Sequence, residues 1–263
     1  MLTLFTHFNA VCGQKVQLLL HELSLAHTLH PVNIRDSEQY SAWFLKLNPK
    51  GEVPILVDDT DAICESKDIC FYLDEKFNAC QLSPISTKQN KKIRQWLNFI
   101  EGDLNDACVL LSWCIAIRPE MQKKSEHEIK QHLNSIPNEK KQLERTKILK
   151  LGLNVPEMVT AMSHYQLLLT KMARLLAKTD YLYSNKLTLA DIITLPYIER
   201  LSLFSYHDMW QEYPEIGLWH QRMKALKGYE TCFQDSYPPY FKERWAEYGL
   251  LAKEKVISLK TDS

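Results

Sequence analysis

Between Leu2 and Leu73 the spacing of apolar residues switches repeatedly between two and three-to-four, and beyond about residue 88 it never returns to two. A period of two lines one face of a strand and a period near 3.6 lines one face of a helix, so a mixed α/β unit must precede an all-helical one. Residues 2–6 are short and β-prone, and Val16, Leu19, Leu20 and Leu23 follow helical spacing. Residues 28–34 alternate as a second strand. Ser37 is placed to cap a helix carrying Tyr40, Phe44 and Leu47, which Asn48-Pro49-Lys50-Gly51 breaks. Residues 53–57 form an apolar run, 58–61 an acidic turn and 62–64 a short strand, and Ser66 opens a helix with Ile69, Phe71, Tyr72 and Leu73. The first 77 residues read βαβαββα.

Pro54 resists this pattern, because a proline at the head of an apolar strand removes a ladder donor. Two readings stay open. A cis Val53-Pro54 bond would turn tightly into the strand and leave the Val53 N–H and C=O for a partner outside the sheet, whereas a trans bond would simply begin an edge strand. After a polar link over 81–87, residues 88–263 read as helices, with a charged helical excursion inserted around 118–155. Thr188-Leu189-Ala190-Asp191 is a capping-box variant opening a helix whose apolar run predicts burial.

Composition narrows the function. The chain has 263 residues with 32 Lys+Arg against 32 Asp+Glu, a balance that offers no field for nucleic acid or an anionic membrane. No apolar stretch approaches the roughly 20 residues that span a bilayer. No secretory signal is apparent at the start, so the expected compartment is the cytosol. Seven cysteines, irregularly spaced and without a Cys-x-x-Cys pair, fit reduced thiols, and no histidine spacing suits a metal.

The order Asn48-Pro49-Lys50-Gly51-Glu52-Val53-Pro54-Ile55-Leu56-Val57, then Cys64-Glu65-Ser66-Lys67-Asp68-Ile69, then Leu187-Thr188-Leu189-Ala190-Asp191 resembles the cytosolic glutathione transferase superfamily over nearly the whole chain. Tyr213-Pro214-Glu215-Ile216 and Trp219 look like its late helix. With the excursion, the chain is most similar to the branch containing tetrachlorohydroquinone dehalogenase. The resemblance implies a thioredoxin-like N-terminal domain over 1–80, a linker over 81–87 and an all-helical C-terminal domain over 88–263, with glutathione as co-substrate. It implies that the Val53 backbone beside Pro54 pairs with the cysteinyl part of glutathione, that Glu65 holds the γ-glutamyl ammonium, and that Lys50 pairs with the glycyl carboxylate. Ser66, at a helix tip where free N–H groups favour an anion, would take the γ-glutamyl carboxylate.

The catalytic group is less uniform. No tyrosine ends the first strand, where Phe5, Thr6, His7 and Phe8 stand, and the position of the serine and cysteine classes is Ala10. Ala10-Val11-Cys12-Gly13-Gln14-Lys15 keeps the Cys and Lys of the dehalogenase pattern and loses its Ser. Cys12, just ahead of a helix, is expected to have a lowered pKa and could form a mixed disulfide, or it packs as a small hydrophobe. Asn9 is the alternative, its amide donating to the glutathione thiolate. The electrophile pocket implied by the resemblance is lined by Phe8, Val11, Leu110, Trp113, Cys114 and Ile117, so the second substrate is a small apolar electrophile or a disulfide. The tail from Tyr237 to Leu251 either crosses this cleft or packs on the body. A homodimer is expected, and a non-catalytic binding protein is the alternative function.

Overall fold

The computed structural model describes residues 1–83 and 87–259, so part of the expected linker, residues 84–86, lies outside the described residues. In chain order the first half runs β1 (Leu2–Thr6), α1 (Val11–Glu22), β2 (His27–Pro31), α2 (Ala42–Leu47), β3 (Ile55–Asp58), β4 (Asp61–Ile63) and α3 (Ser66–Asn78). The sheet order is β2-β1-β3-β4, with β1 and β2 parallel and the β1–β3 and β3–β4 pairs antiparallel. This is a thioredoxin-like arrangement. The parallel pair needs a crossover, and α1 supplies it.

Two local expectations change. The second strand ends at Pro31, and residues 34–36 and 38–40 form 3₁₀ turns instead of more strand or a helix capped by Ser37. Ser37 has φ +62° and caps nothing with its side chain; α2 begins after Ser41. A left-handed residue stops an α-helix from propagating through it.

The central strands β1 and β3 carry the buried side chains, whereas β2 and β4 are largely exposed. Leu2, Leu4 and Leu56 join α1, α3 and the helical half in one continuous core, while Phe44, Val32 and Ile55 form a smaller cluster under α2. Gly13 sits where a Cβ would lie 1.7 Å from Thr6 Oγ1, so any side chain there would push the start of α1 off the end of β1.

The second half contains α4 (Thr87–Phe99), α5 (Asn105–Ser112), α6 (Arg118–Met121), α7 (Glu126–Asn134), α8 (Glu139–Leu151), α9 (Glu157–Leu176), α10 (Leu189–Leu203), α11 (Pro214–Lys224) and α12 (Phe241–Ser258). Between α4 and α6 the helix continues through two π-helical stretches, Ile100–Leu104 and Trp113–Ile117. This helix packs on α9 and α10, and α1 packs on α10 and α3.

The buried helix predicted after Thr188 is α10, and Asp191 does more than cap it. Its Oδ2 accepts from the Thr188 N–H (2.9 Å) and Oγ1 (2.7 Å), and its Oδ1 accepts from the Leu182 N–H (2.7 Å) and Trp219 Nε1 (2.8 Å). Burial still raises the Asp191 carboxyl to about 6 against those four donors.

The 118–155 excursion forms α6, α7, α8 and short turns, and it is only partly solvated. Ser135 Oγ donates to Ser37 Oγ at 2.9 Å, His132 Nδ1 lies 3.1 Å from the same oxygen, and Lys141 Nζ reaches Glu52 Oε1 at 3.1 Å. The excursion therefore docks on the loop before α2 and on the turn ahead of β3. Its α8 buries Arg145 and Ile148. No described helix is long and apolar enough to cross a membrane.

Candidate functional site

The turn at 48–51 is held by its own residues. Asn48 Nδ2 donates to the Glu52 carbonyl at 2.8 Å, Asn48 Oδ1 accepts the Lys50 N–H at 3.1 Å, and Gly51 takes φ +63°. The Val53–Pro54 peptide that follows is cis, and among the described residues no hydrogen bond reaches the Val53 N–H or C=O. Two residues past β4, Glu65 and Ser66 stand at the start of α3. Lys50 Nζ and Glu65 Oε1 are paired at 2.6 Å. Both are largely exposed, so water and salt screen the pair and it opens at little cost. The two residues expected to hold opposite ends of a tripeptide thus partner each other in this structure.

Ser66 is buried, and its hydroxyl donates to Glu101 Oε2 at 3.1 Å. The other Glu101 oxygen holds Lys15 Nζ at 2.5 Å. Lys15 is fully buried and also donates to Tyr197 OH at 3.2 Å. Burial opposes the Lys15 charge, but Cys12 and Glu101 outweigh it and raise the ammonium pKa. A polar chain therefore runs from the tip of α3 through the first π-helical stretch to α1 and α10. Glu101, Asn105 and Tyr197 went unrecognised in the sequence. A signal existed: Lys15 follows Val11 by four and Glu101 follows Leu97 by four, so opposite charges each sit on an apolar helix stripe.

Cys12 lies in the first turn of α1, where a lowered pKa was expected. The structure gives the opposite direction. Burial pushes the thiol up, Lys15 pulls against it, and Cys12 Sγ donates to Asn105 Oδ1 at 3.4 Å. The helix tip is outweighed because the sulfur faces the interior between α1 and α5.

Asn9 is held differently. Arg200 from α10 donates to its carbonyl oxygen at 2.6 Å and to its Oδ1 at 2.9 Å, and also to Ser112 Oγ at 2.7 Å. An arginine only donates, so the Asn9 amide turns its oxygen to Arg200 and, among the described residues, leaves its NH₂ uncommitted.

His7 packs beside this loop, with its Nδ1 3.0 Å from the Val32 carbonyl oxygen. Burial pulls the imidazole down to about 4, with Arg35 and Arg200 adding to the effect and the Val32 contact opposing it. The folded state thus keeps His7 neutral where an unfolded chain protonates it near 6.5, so its contribution is complete above pH 6.5 and lost as pH falls toward 4. The difference is worth on the order of 3 kcal/mol. Urea unfolding of the wild type between pH 7 and 4.5 is expected to show a steeper loss than His7→Gln, and parallel pH profiles would refute this.

Of the expected pocket residues, Phe8, Leu110, Trp113 and Ile117 are partly buried against the core, while Val11 and Cys114 are fully packed in it. Phe8 meets the tail edge-on, at 6.0 Å from Tyr237 and 5.1 Å from Phe241, and Gln14 Nε2 donates to Tyr237 OH at 3.1 Å. The tail packs on the body and touches the first loop as well. Cys70 is buried as core, and Cys64 donates to the Leu47 carbonyl at 3.5 Å. Two surface grooves, of about 320 and 340 Å³, open elsewhere, beside Trp96 and Tyr183 and beside Glu199 and Tyr237. Neither includes Lys50, Val53, Glu65 or Ser66, so chemistry and not concavity marks this site. Among the described residues no cluster of His, Cys, Asp and Glu could hold a metal ion.

Comparison with known proteins adds an independent line. The profile described as "Glutathione S-transferase, N-terminal domain" matches residues 11–76, and "Glutathione S-transferase, C-terminal domain" matches residues 127–230; together they cover more than half of the chain. Protein LigF of Sphingobium sp. (strain NBRC 103272 / SYK-6) is 26% identical over 206 residues, 76% of this chain and 80% of that protein. A zeta-class glutathione S-transferase of Euphorbia esula is 33% identical over 103 residues, 39% of this chain and 46% of that protein. The crystal structure of the β-etherase LigF from Sphingobium sp. strain SYK-6 superposes with a TM-score of 0.76 at 24% identity, covering 89% of this chain and 98% of that one, a likeness of fold.

Proposed function

This chain belongs to the glutathione S-transferase family, whose co-substrate is glutathione, and from that membership we propose that it joins glutathione's own sulfur to a small apolar electrophile, with Asn9 stabilising the thiolate. One observation carries the choice of Asn9: Arg200 occupies its Oδ1, leaving an uncommitted NH₂ donor, while the neighbouring Cys12 thiol is turned to Asn105. An amide NH₂ donating to a sulfur anion favours the charged form without covalent chemistry.

In this reading Glu65 holds the γ-glutamyl ammonium, Ser66 and the α3 tip hold its carboxylate, Lys50 pairs with the glycyl carboxylate, and the Val53 backbone beside Pro54 pairs with the cysteinyl unit. Glutathione's two charged ends replace the exposed Lys50–Glu65 pair. The thiol proton leaves to solvent, the sulfur lone pair forms the C–S bond, and the leaving group departs with the electrons of its bond to carbon. LigF is a β-etherase; carried to this chain, that makes an ether oxygen one candidate leaving group. Residues 1–80 form the glutathione-binding domain and 88–263 the helical domain in this proposal. The family's usual habits make a homodimer the proposed assembly and the cytosol the proposed compartment.

Isothermal titration tests the reading. Saturable heat is expected at millimolar glutathione, and the Glu65→Ala, Ser66→Ala double variant is expected to weaken binding at least about tenfold, the loss of charge-assisted contacts. No heat at that concentration, or an unchanged affinity in the double variant, would overturn it.

A second reading, the branch containing tetrachlorohydroquinone dehalogenase, makes Cys12 the nucleophile toward a disulfide or a glutathionylated substrate. Lys15 favours it, since its charge lowers the Cys12 pKa against the burial that raises it. In that case Cys12 would carry one glutathionyl group after treatment with oxidised glutathione, readable by mass spectrometry.

A further inference from the structure

Arg145 is a buried cation without an ion pair or hydrogen bond among the described residues. It sits on α8, inside the docked excursion, and is only 8% exposed. Among the described residues no carboxylate lies within ion-pair distance of it and none of its five N–H donors has a hydrogen-bond partner. Its guanidinium lies over the indole of Trp113, with the ring centroid 4.6 Å from the guanidinium carbon. Glu144 and Asp106 are near enough to act on its charge from a distance, as are Tyr40 and Cys114, yet burial is the larger influence and lowers its pKa.

The Arg145 side chain is buried, yet none of its nitrogens is among the fully buried polar atoms that lack a partner, so the edge of the guanidinium still reaches the surface. Stacking on an indole satisfies the flat face of the group and leaves the donor edge, which is the part that matches a carboxylate in a two-pronged fit. Trp113 belongs to the helix wall expected to line the electrophile pocket, and His132 from the same excursion lies 6.3 Å from its ring. The Ser37–His132, Ser135–Ser37 and Lys141–Glu52 contacts hold α7 and α8 against the half of the chain that carries Lys50 and Val53. The excursion thus brings a cation to the side of the proposed cleft.

The geometry points to Arg145 as the residue that selects the second substrate, an apolar electrophile bearing one carboxylate or comparable anionic group. This rests on the transferase reading above and names its substrate class. The uncharged walls at Phe8, Leu110 and Ile117 would take the apolar part, and Arg145 the anion.

The test compares 3-nitrobenzoate with 3-nitrobenzamide by calorimetry, and 4-chloro-3-nitrobenzoate with 4-chloro-3-nitrobenzamide by turnover with glutathione. Wild-type protein is expected to prefer each benzoate at least about tenfold, in binding and in kcat/KM, as a charge-assisted bidentate contact provides. Arg145→Gln is expected to bring the preference within about twofold, and Arg145→Lys, with a point charge in place of the fork, to leave an intermediate value. Equal binding of benzoate and benzamide to the wild type would overturn the inference, as would a preference that survives in Arg145→Gln. Should Arg145→Gln fail to fold, a preference undiminished in Arg145→Lys would overturn it instead. A glutathione titration on the same preparation separates the two proposals: glutathione heat without a benzoate preference sinks Arg145 alone, and a benzoate preference without glutathione heat sinks the transferase reading alone.

Discussion

Glu101→Ala is expected to destabilise the protein by about 3–5 kcal/mol, because it leaves Lys15 as a buried ammonium without its counter-charge. Lys15 has no exposure and keeps only the Tyr197 hydroxyl as a partner in that variant. For a chain of this size the loss corresponds to a fall in melting temperature on the order of 10 °C. The double variant Lys15→Met, Glu101→Leu is expected to regain most of it, since removing both charges together strands neither and lets apolar side chains fill the space. Glu101→Gln separates charge from contact: it can still accept from Ser66 but no longer neutralises Lys15, so its stability should lie between the two. Chemical denaturation checks all three. A loss under 1 kcal/mol for Glu101→Ala would mean that Lys15 reaches water on its own and that the pair does not tie α1 to the helix bearing Glu101. The double variant is what makes the test specific, because a merely packing role for Glu101 would not be relieved by removing Lys15.

The largest expected effect on activity comes from Asn9→Ala, with kcat toward a chlorodinitrobenzene-type electrophile falling about 10²–10³-fold, the range measured when one oxyanion-type donor is removed. The KM for glutathione should change little, because the tripeptide's charged ends are held by Glu65, Ser66 and Lys50 in the proposed site. Cys12→Ser should cost far less, since the sulfur points to Asn105 and its thiol is held protonated by burial. Asn9→Asp is the sharper control. It keeps an oxygen toward Arg200 and replaces the N–H donors with an anionic acceptor, so a positioning role would spare it and a donor role would make it at least as damaging as alanine. The ultraviolet absorbance of bound glutathione thiolate supplies a second readout: its apparent pKa should rise in Asn9→Ala. If Cys12→Ser proves the inactive variant and Asn9→Ala the mild one, the cysteine route is the working one and the dehalogenase-like reading takes over.

Most elements of the first half could be read from residue spacing alone. Leu2 and Leu4 alternate into the core, Val16, Leu19 and Leu20 mark α1, and Ser66 opens α3 as expected. The capping pattern Thr188-x-x-Asp191 identified the buried helix, because a cap is a contact between near neighbours in the chain. Where a left-handed residue intervened, at Ser37, the periodic reading failed, since spacing records which side chains are buried and not whether the backbone between them can stay helical.

The helical half was legible as helices and not as surfaces. The π-helical stretches at Ile100–Leu104 and Trp113–Ile117 insert an extra residue per turn, which re-aims everything after them. No count of threes and fours predicts where Glu101 or Trp113 then points.

Local chemistry, written into the order of residues, settled the alternation of strands and helices, the proline-headed β3, the Glu65-Ser66 tip of α3 and the capped α10. Long-range packing decided what each polar group faces: Lys15 finds a carboxylate 86 positions away, Asn9 an arginine 191 positions away, and Arg145 an indole. The division has a physical cause. Spacing and caps act over a turn or two of chain, whereas the energy of a charge depends on everything brought around it, and that environment exists only once the two halves have closed on one core.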